Sequence, residues 1–250
     1  MARERESSGP SRTEHGGSGL TGPASELTGV SSMATRAVLA DLAELAGARI
    51  GATVTFRAGG GVAIAGEIRQ GLDADVAVLA EKAVATLVDQ GHLVDDTVRP
   101  LFRSEVVLAA RSGNSPAIAS LAQLQRTVLA ADAVGYSTGP SGDAFLARLD
   151  AWGLIERLTG RLVQAPPGVP VGSLLTAGEI DLAVQQRSEL TGIPGVDVLG
   201  PLPPGTEIVS IFSAAVLTRS TARKAAESLL DALADPTHTD LVAQHGLALL

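Results

Sequence analysis

A chain of 250 residues with a formal net charge of −8 is long enough for one large domain or two smaller lobes. Hydrophobic residues make up 45 % and aromatics 2 %, so the core is aliphatic, and the acidic balance with almost no stacking aromatics sets nucleic acid aside as a partner. There is no cysteine, which excludes disulfides, thiolate metal sites, a thiol nucleophile and a lipid-modified Cys anchor.

The first stretch, "MARERESSGPSRTEHGGSGLTGPASE", is polar, of mixed charge and rich in Gly, Ser and Pro. Residues 1–25 read as a disordered tail. The stretch has no apolar run of secretory length and no twin-Arg pair, and no later segment reaches the roughly 18 apolar residues of a membrane span. The sequence as written implies a cytoplasmic protein with no membrane partner; a displaced start would make it extracytoplasmic.

Strand and helix patterns then alternate. "ELTGV" reads as a strand and "MATRAVLADLAELAG" as a helix with Val38, Leu42 and Leu45 on one face and Gly47 past its end. "ATVTF" is a β-branched strand, and "VAIAGEIRQG" is a short helix carrying Ile64 and Ile68. "ADVAVLA" is apolar almost throughout, as a strand buried on both faces should be. "EKAVATLVDQG" is a helix with Val84, Leu87 and Val88 inward, "SEVVLAA" a strand, "LAQLQRTVLA" a helix and "AVGY" a strand. The next helix has Phe145, Leu149 and Trp152 in one row; "RLVQA", "VGSLLTAGE" and "IDLAVQQ" follow as strand, helix and strand. "EIVSIFSAAVL" is a long β-rich run, and "TARKAAESLLDALAD" is a helix carrying Ala226, Leu229, Leu230 and Leu233. Strands alternating with helices of about ten residues mean βαβ units and largely parallel sheet, an α/β fold.

Four strands run into helices through Ser or Gly: Ser31-Ser32, Gly59-Gly60-Gly61, Ser141-Gly142, and Gly168 followed by Pro170. The first amides of a helix lack partners and carry the positive end of its dipole. Gly lets a ligand approach the backbone, and Ser adds a hydroxyl. In an open parallel α/β sheet such turns line the carboxyl ends of the strands, where ligands bind. Each turn alone is better explained as a cap, since Ser is a favoured N-cap and Gly is common in turns. The set of four points to one small anion.

Other signals are weaker. "GPSGD" lacks the second Gly of a nucleophile elbow, which disfavours a hydrolase using Ser141 with His245. His238 and His245 share a helical spacing but read as part of a solvated C-terminal helix, not a metal site. Asp143, in a first helical turn, complements the dipole before it suggests catalysis. No phosphate-loop Lys or full GxGxxG is present, and the pattern calls for no cofactor and no metal.

From Leu27 to Leu249 the chain resembles bacterial type 2 solute-binding proteins of the molybdate-binding kind. The landmarks are "LTGVSSMATRAVLADLA", "VTFRAGGGVAIAGEIRQGLDADVAVLAEKAVATLVDQGHL", "LFRSEVVLAARSG", "AVGYSTGPSGDAFLARLDAWGL" and "TAGEIDLAVQQRSEL". The resemblance implies a two-lobed type 2 periplasmic-binding-protein fold, each lobe a mostly parallel sheet flanked by helices. Two crossovers are implied, near Arg103–Glu105 and Glu207–Ser210. Residues 26–103 with 209–250 would form the first lobe and 104–208 the second. The family's ligand-contacting loops fall on Ser31 or Ser32, Gly60, Gly61, Ser141, Gly142 and the backbone after Gly168.

The chain also departs from that pattern. The second loop reads "AGGG" where more hydroxyls are usual, and Gln185 and Gln186 stand where a Tyr is usual, which makes Gln186 a ligand candidate. "QQRSELTGIPGVDVLGPLP" is similar to the branch that includes aconitate isomerase-like proteins. Two functions are therefore expected from the resemblance. One is an isomerase of a polycarboxylic acid, with Glu189, Asp143 and Tyr136 as acid or base candidates among which the sequence does not choose. The other is a non-catalytic binder of a small oxyanion or carboxylate, partnered by an ABC transporter. Arg57 and Arg103 could fork onto a carboxylate but fit surface or hinge roles better.

Overall fold

The computed structural model describes residues 25–250. The expected tail lies outside the described residues except for Ser25, which opens the first strand. In chain order the elements are β1 (Ser25–Ser32), α1 (Arg36–Ile50), β2 (Ala52–Gly59), α2 (Gly61–Arg69), β3 (Val76–Ala80), α3 (Glu81–Asp89) and β4 (Arg99–Arg111). Then come α4 (Leu121–Ala130), β5 (Val134–Tyr136), α5 (Pro140–Ala151), β6 (Leu162–Gln164), α6 (Val171–Ala177), β7 (Leu182–Gln186) and α7 (Arg187–Leu190). The chain closes with β8 (Val196–Pro201), β9 (Val209–Val216), α8 (Arg223–Leu233), α9 (Thr239–Gln244) and β10 (Ala248–Leu249).

The strands run in the order β2-β1-β3-β9-β4-β7-β5-β6. Two parallel ladders, β2-β1-β3 and β6-β5-β7, come from the βαβ units. Between them β9 runs antiparallel to β3, and β4 runs antiparallel to both β9 and β7. β4 is 13 residues long and changes partner midway: Arg99–Glu105 pair with β9, and Val106–Ala110 pair with β7. β4 therefore carries the chain from one ladder to the other, and residues just before β9 carry it back.

Packing explains why the apolar patterns look as they do. Val76 and Val78 of β3 pack with α1 and α8 residues such as Leu39, Leu42, Leu229 and Leu230, while Ala77 and Leu79 pack with Ile64, Ile68, Val84 and Leu87 of α2 and α3. Both faces are covered, so the strand tolerates no polar position. β4 repeats this: Val106, Leu108 and Ala110 face Phe145 and Leu149 of α5, and Val107 and Ala109 face Val171 and Leu175 of α6. Full burial of one such Leu is worth about 1.5–3 kcal/mol.

The first helix differs from its expected face. Its buried arc is Val38, Leu39, Leu42, Ala43, Ala46 and Gly47, centred on Leu42 and Ala46, so Leu45 falls beyond the margin and is 47 % exposed. Gly47 lies inside the helix, where a Cβ would come within 2.6 Å of the Ala52 carbonyl oxygen; the helix stops instead at Gly51, with φ 69°. α4 begins as its sequence suggests, with the Ser120 hydroxyl accepting from Gln123 N–H at 3.3 Å. Ser120→Ala is expected to cost about 1 kcal/mol of stability, measurable as a lower urea midpoint.

Candidate functional site

β1 and β2 end side by side, Ser32 opposite Gly59. Ser31 is fully buried and its hydroxyl donates to the Ser32 carbonyl at 3.3 Å. The Ser32 hydroxyl stands 3.3 Å from where a Cβ on Gly61 would be, so the bare Gly61 leaves it room. Gly60 is the exposed N-cap of α2, and its carbonyl accepts from Ile64 N–H at 2.9 Å. Ser31, Ser32, Gly60 and Gly61 are thus brought together.

A second group forms where β5 enters α5. The Ser137 and Ser141 hydroxyls pair at 2.9 Å, and Ser141 is buried. A Cβ on Gly142 would sit 1.9 Å from the Ser137 carbonyl oxygen and 3.1 Å from the Tyr136 ring. Gly142→Ala should cost about 1–3 kcal/mol by overpacking, seen as a lower denaturant midpoint; an unchanged midpoint would mean the turn relaxes freely. Gly142 N–H and Asp143 N–H both donate to the Gly139 carbonyl. Asp143 faces solvent from the first turn, where its charge complements the dipole.

Other candidates are placed elsewhere. Gly168, at φ 79° and exposed, serves a tight turn, and the first amide of α6, Val171 N–H, donates to Gln185 Oε1 at 3.0 Å. That helix beginning is occupied by a side chain of its own protein. Arg57 is held by Glu67 of α2 in an exposed ion pair. Arg103 pairs with Glu105 at 2.9 Å on the crossing strand, and Glu105 also approaches Arg187 at 3.9 Å. His245 Nε2 lies 2.8 Å from Asp41, while Ser141 is paired with Ser137, so the two do not meet as a nucleophile and base.

The end of β7 carries the most unusual chemistry. Gln185 Nε2 donates to Glu189 Oε2 at 2.6 Å. Burial pushes the Glu189 carboxyl from 4.5 up to about 7, against the opposing pulls of the Arg36 charge and the Gln185 hydrogen bond. Gln186 Nε2 donates to Ser210 Oγ of β9 at 2.7 Å, and Gln186 Oε1 is buried without a partner among the described residues. The Ser104 hydroxyl, on the residue opposite Ser210, is likewise buried and unpaired. α7 packs against the short turn Met33–Thr35 that follows β1. The ends of β1 and β7 therefore meet, with Ser31 and Ser32 on one side and Gln186 and Glu189 on the other.

Two concavities lie away from this junction. One of about 290 Å³ is bounded by β1, β2 and residues 72–74, and one of about 800 Å³ by residues 115–119 and 196–204. Arg36 is the residue that sequence reasoning passed over, while Gln185 was noted only for standing where a Tyr is usual. Arg36 had a signal: it is the first residue of α1, where a cation opposes the dipole and so invites a partner elsewhere.

Two parallel ladders bridged by antiparallel β4 and β9, with serine- and glycine-bearing helix beginnings at the strand ends, define the two-lobed type 2 periplasmic-binding fold. The family profile described as "Bacterial extracellular solute-binding protein" matches residues 27–248, and the chain belongs to that family. It is 29 % identical over 194 residues to an aconitate isomerase from Pseudomonas sp., covering 74 % of this chain and 71 % of that one. The periplasmic molybdate-binding protein of Azotobacter vinelandii shares the fold with a TM-score of 0.74 at 19 % identity, over 90 % of this chain and 99 % of that one. The sulfate-binding protein SubI of Mycobacterium tuberculosis does so with a TM-score of 0.72 at 18 % identity, over 89 % and 86 %.

Proposed function

We propose that the protein captures a small polycarboxylate at the junction of the β1 and β7 ends and isomerises it by proton transfer, with Glu189 as the acid–base group. The two lobes that close on it are residues 26–103 with 209–250, and residues 104–208. One arrangement supports the reading: the half-buried Glu189 carboxyl, gripped by Gln185 Nε2 at 2.6 Å, is pushed up to about 7 by desolvation while the Arg36 charge pulls it down. A group poised near neutrality is what general acid–base catalysis requires, because it can both take and return a proton. The 29 % identity to an aconitate isomerase supports the choice of substrate class.

The chemistry needs no oxidant. Ionised Glu189 takes a proton from a methylene that lies between a carboxylate and a carbon–carbon double bond. The electron pair delocalises over the allylic system and the attached carboxylates. The Arg36 charge, which already acts on Glu189, opposes the negative charge that accumulates. Protonated Glu189 then returns the proton to the far carbon, the double bond shifts, and the product is released as the other geometric isomer. Ser32, the amides beside Gly60 and Gly61, and the Ser141 turn hold the carboxylates.

A second reading keeps the capture and omits the chemistry: a binder of a small oxyanion, serving an ABC transporter. The fold shared with molybdate- and sulfate-binding proteins favours it. Incubating the pure protein with cis-aconitate or trans-aconitate and following the isomer ratio by proton NMR separates the two. A changing ratio supports the isomerase; constant spectra together with calorimetric binding of molybdate or sulfate would select the binder.

A further inference from the structure

We propose that Gln185 is a positioning residue for Glu189: its amide, anchored on the Val171 N–H, grips Glu189 Oε2 and holds that carboxyl in one orientation. The inference rests on Glu189 being the acid–base group. Side-chain amides are usually ambiguous in direction, because oxygen and nitrogen exchange places by a flip. Here the direction is fixed. A backbone N–H only donates, so the atom 3.0 Å from Val171 N is the oxygen, and the NH2 end must face Glu189, at 2.6 Å. Gln185 is 3 % exposed, so water does not compete for either bond.

The neighbour shows the contrast. The Gln186 amide meets a hydroxyl, Ser210 Oγ, which donates or accepts with equal ease, so nothing locks its direction. Gln185 and Glu189 also span the turn from β7 into α7, with Gln186 as the N-cap residue between them. The amide thus ties the strand, the beginning of α6 and the carboxyl on α7 into one unit.

A donor on Oε2 favours the charged carboxylate, in the same direction as Arg36 and against burial. The other charged groups on β4 and β8, which pack against α7, are engaged elsewhere: Arg103 of β4 and Arg187 of α7 share Glu105, Arg99 faces Asp231, Arg111 faces Asp181, and Asp197 of β8 is bonded to Ser112 Oγ and Gly113 N–H. The pieces β7, α6 and Met33–Thr35 carry no charged side chain.

The test is a carbon-13 NMR titration of the Glu189 side-chain carboxyl in the full chain, assigned by its loss in Glu189→Gln. In Gln185→Leu the midpoint should move up by about one pH unit relative to wild type. Val171→Pro provides a second variant that leaves Gln185 in place: proline is tolerated at a first helical position but lacks the N–H that anchors the amide. Its midpoint should move the same way. Where wild type turns over aconitate, kcat of Gln185→Leu should fall about tenfold with KM within about twofold, and the acidic limb of kcat should follow the NMR midpoint. Unmoved midpoints in both variants would overturn the role of Gln185. A wild type that never isomerises aconitate would instead sink the isomerase reading, and the titration would still decide whether Gln185 controls Glu189.

Discussion

Replacing Glu189 by Gln is expected to lower kcat for aconitate isomerisation about a thousandfold, within the range that a positioned acid–base group contributes. Glutamine keeps the volume and still accepts from Gln185 Nε2 through its oxygen, so the local packing has no reason to collapse. What it loses is the ability to hold a proton between its removal from one carbon and its return to another. Affinity for the acid should change by less than about threefold, because the ligand's carboxylates are held by the serine and glycine turns. The measurement is kcat and KM by NMR, with Kd by calorimetry. A variant retaining more than about a tenth of wild-type kcat would remove Glu189 from the reaction. Tyr136, packed beside Gly142, would then be the next residue to substitute.

The same substitution has a second large effect, on stability against pH. The Glu189 carboxyl is raised in the folded chain, from 4.5 to about 7. A raised folded pKa contributes stability that is fully present below the unfolded value and lost as pH rises through the folded one. Above about pH 7 the folded protein carries a half-buried carboxylate that the unfolded chain would leave fully in water. The rise corresponds to about 3 kcal/mol across the window from pH 4.5 to 7. Glu189→Gln removes the penalty, so it should be more stable than wild type at pH 8 by up to about 3 kcal/mol. The two should converge as pH falls toward 4.5. Urea unfolding at a series of pH values tests this, and two curves that stay parallel from pH 4.5 to 8 would contradict the burial of that carboxyl.

Elements with a strong local signal were legible in the sequence. β3 reads as a doubly covered strand because each of its faces meets a different helix layer. α8 reads correctly because Ala226, Leu229, Leu230 and Leu233 form one buried stripe. α7 and β8 were not legible. A four-residue helix directly after a strand offers no period to detect. β8 is broken by Gly200 and closed by Pro201, and it exists because the far half of β4 supplies its partner. β9 was visible as a strand, but nothing local announces that it runs antiparallel between β3 and β4.

The site divides in the same way. The turns that hold Ser32 and Gly61, and Ser141 and Gly142, were legible as strand-to-helix turns because such turns advertise themselves within a few residues. The Arg57–Glu67 ion pair was not legible, because Glu67 stands ten residues on, in another element. Gly168 looked like an open helix beginning because the side chain that takes the Val171 amide comes from β7. Arg36 acts on the Glu189 carboxyl only because α7 packs against Met33–Thr35, the turn that leads into Arg36. Charge that acts across a junction leaves no periodic trace in the chain that supplies it.

The proton transfer itself is the most direct thing to measure. In heavy water, cis-aconitate incubated with the protein should yield trans-aconitate, with deuterium at the reacting carbons only to the extent that the proton held by Glu189 exchanges with solvent before its return, and Glu189→Gln should give no conversion. Isomers that stay at their starting ratio with every carbon-bound proton retained, while the wild-type protein binds the acid, would contradict proton transfer by this site.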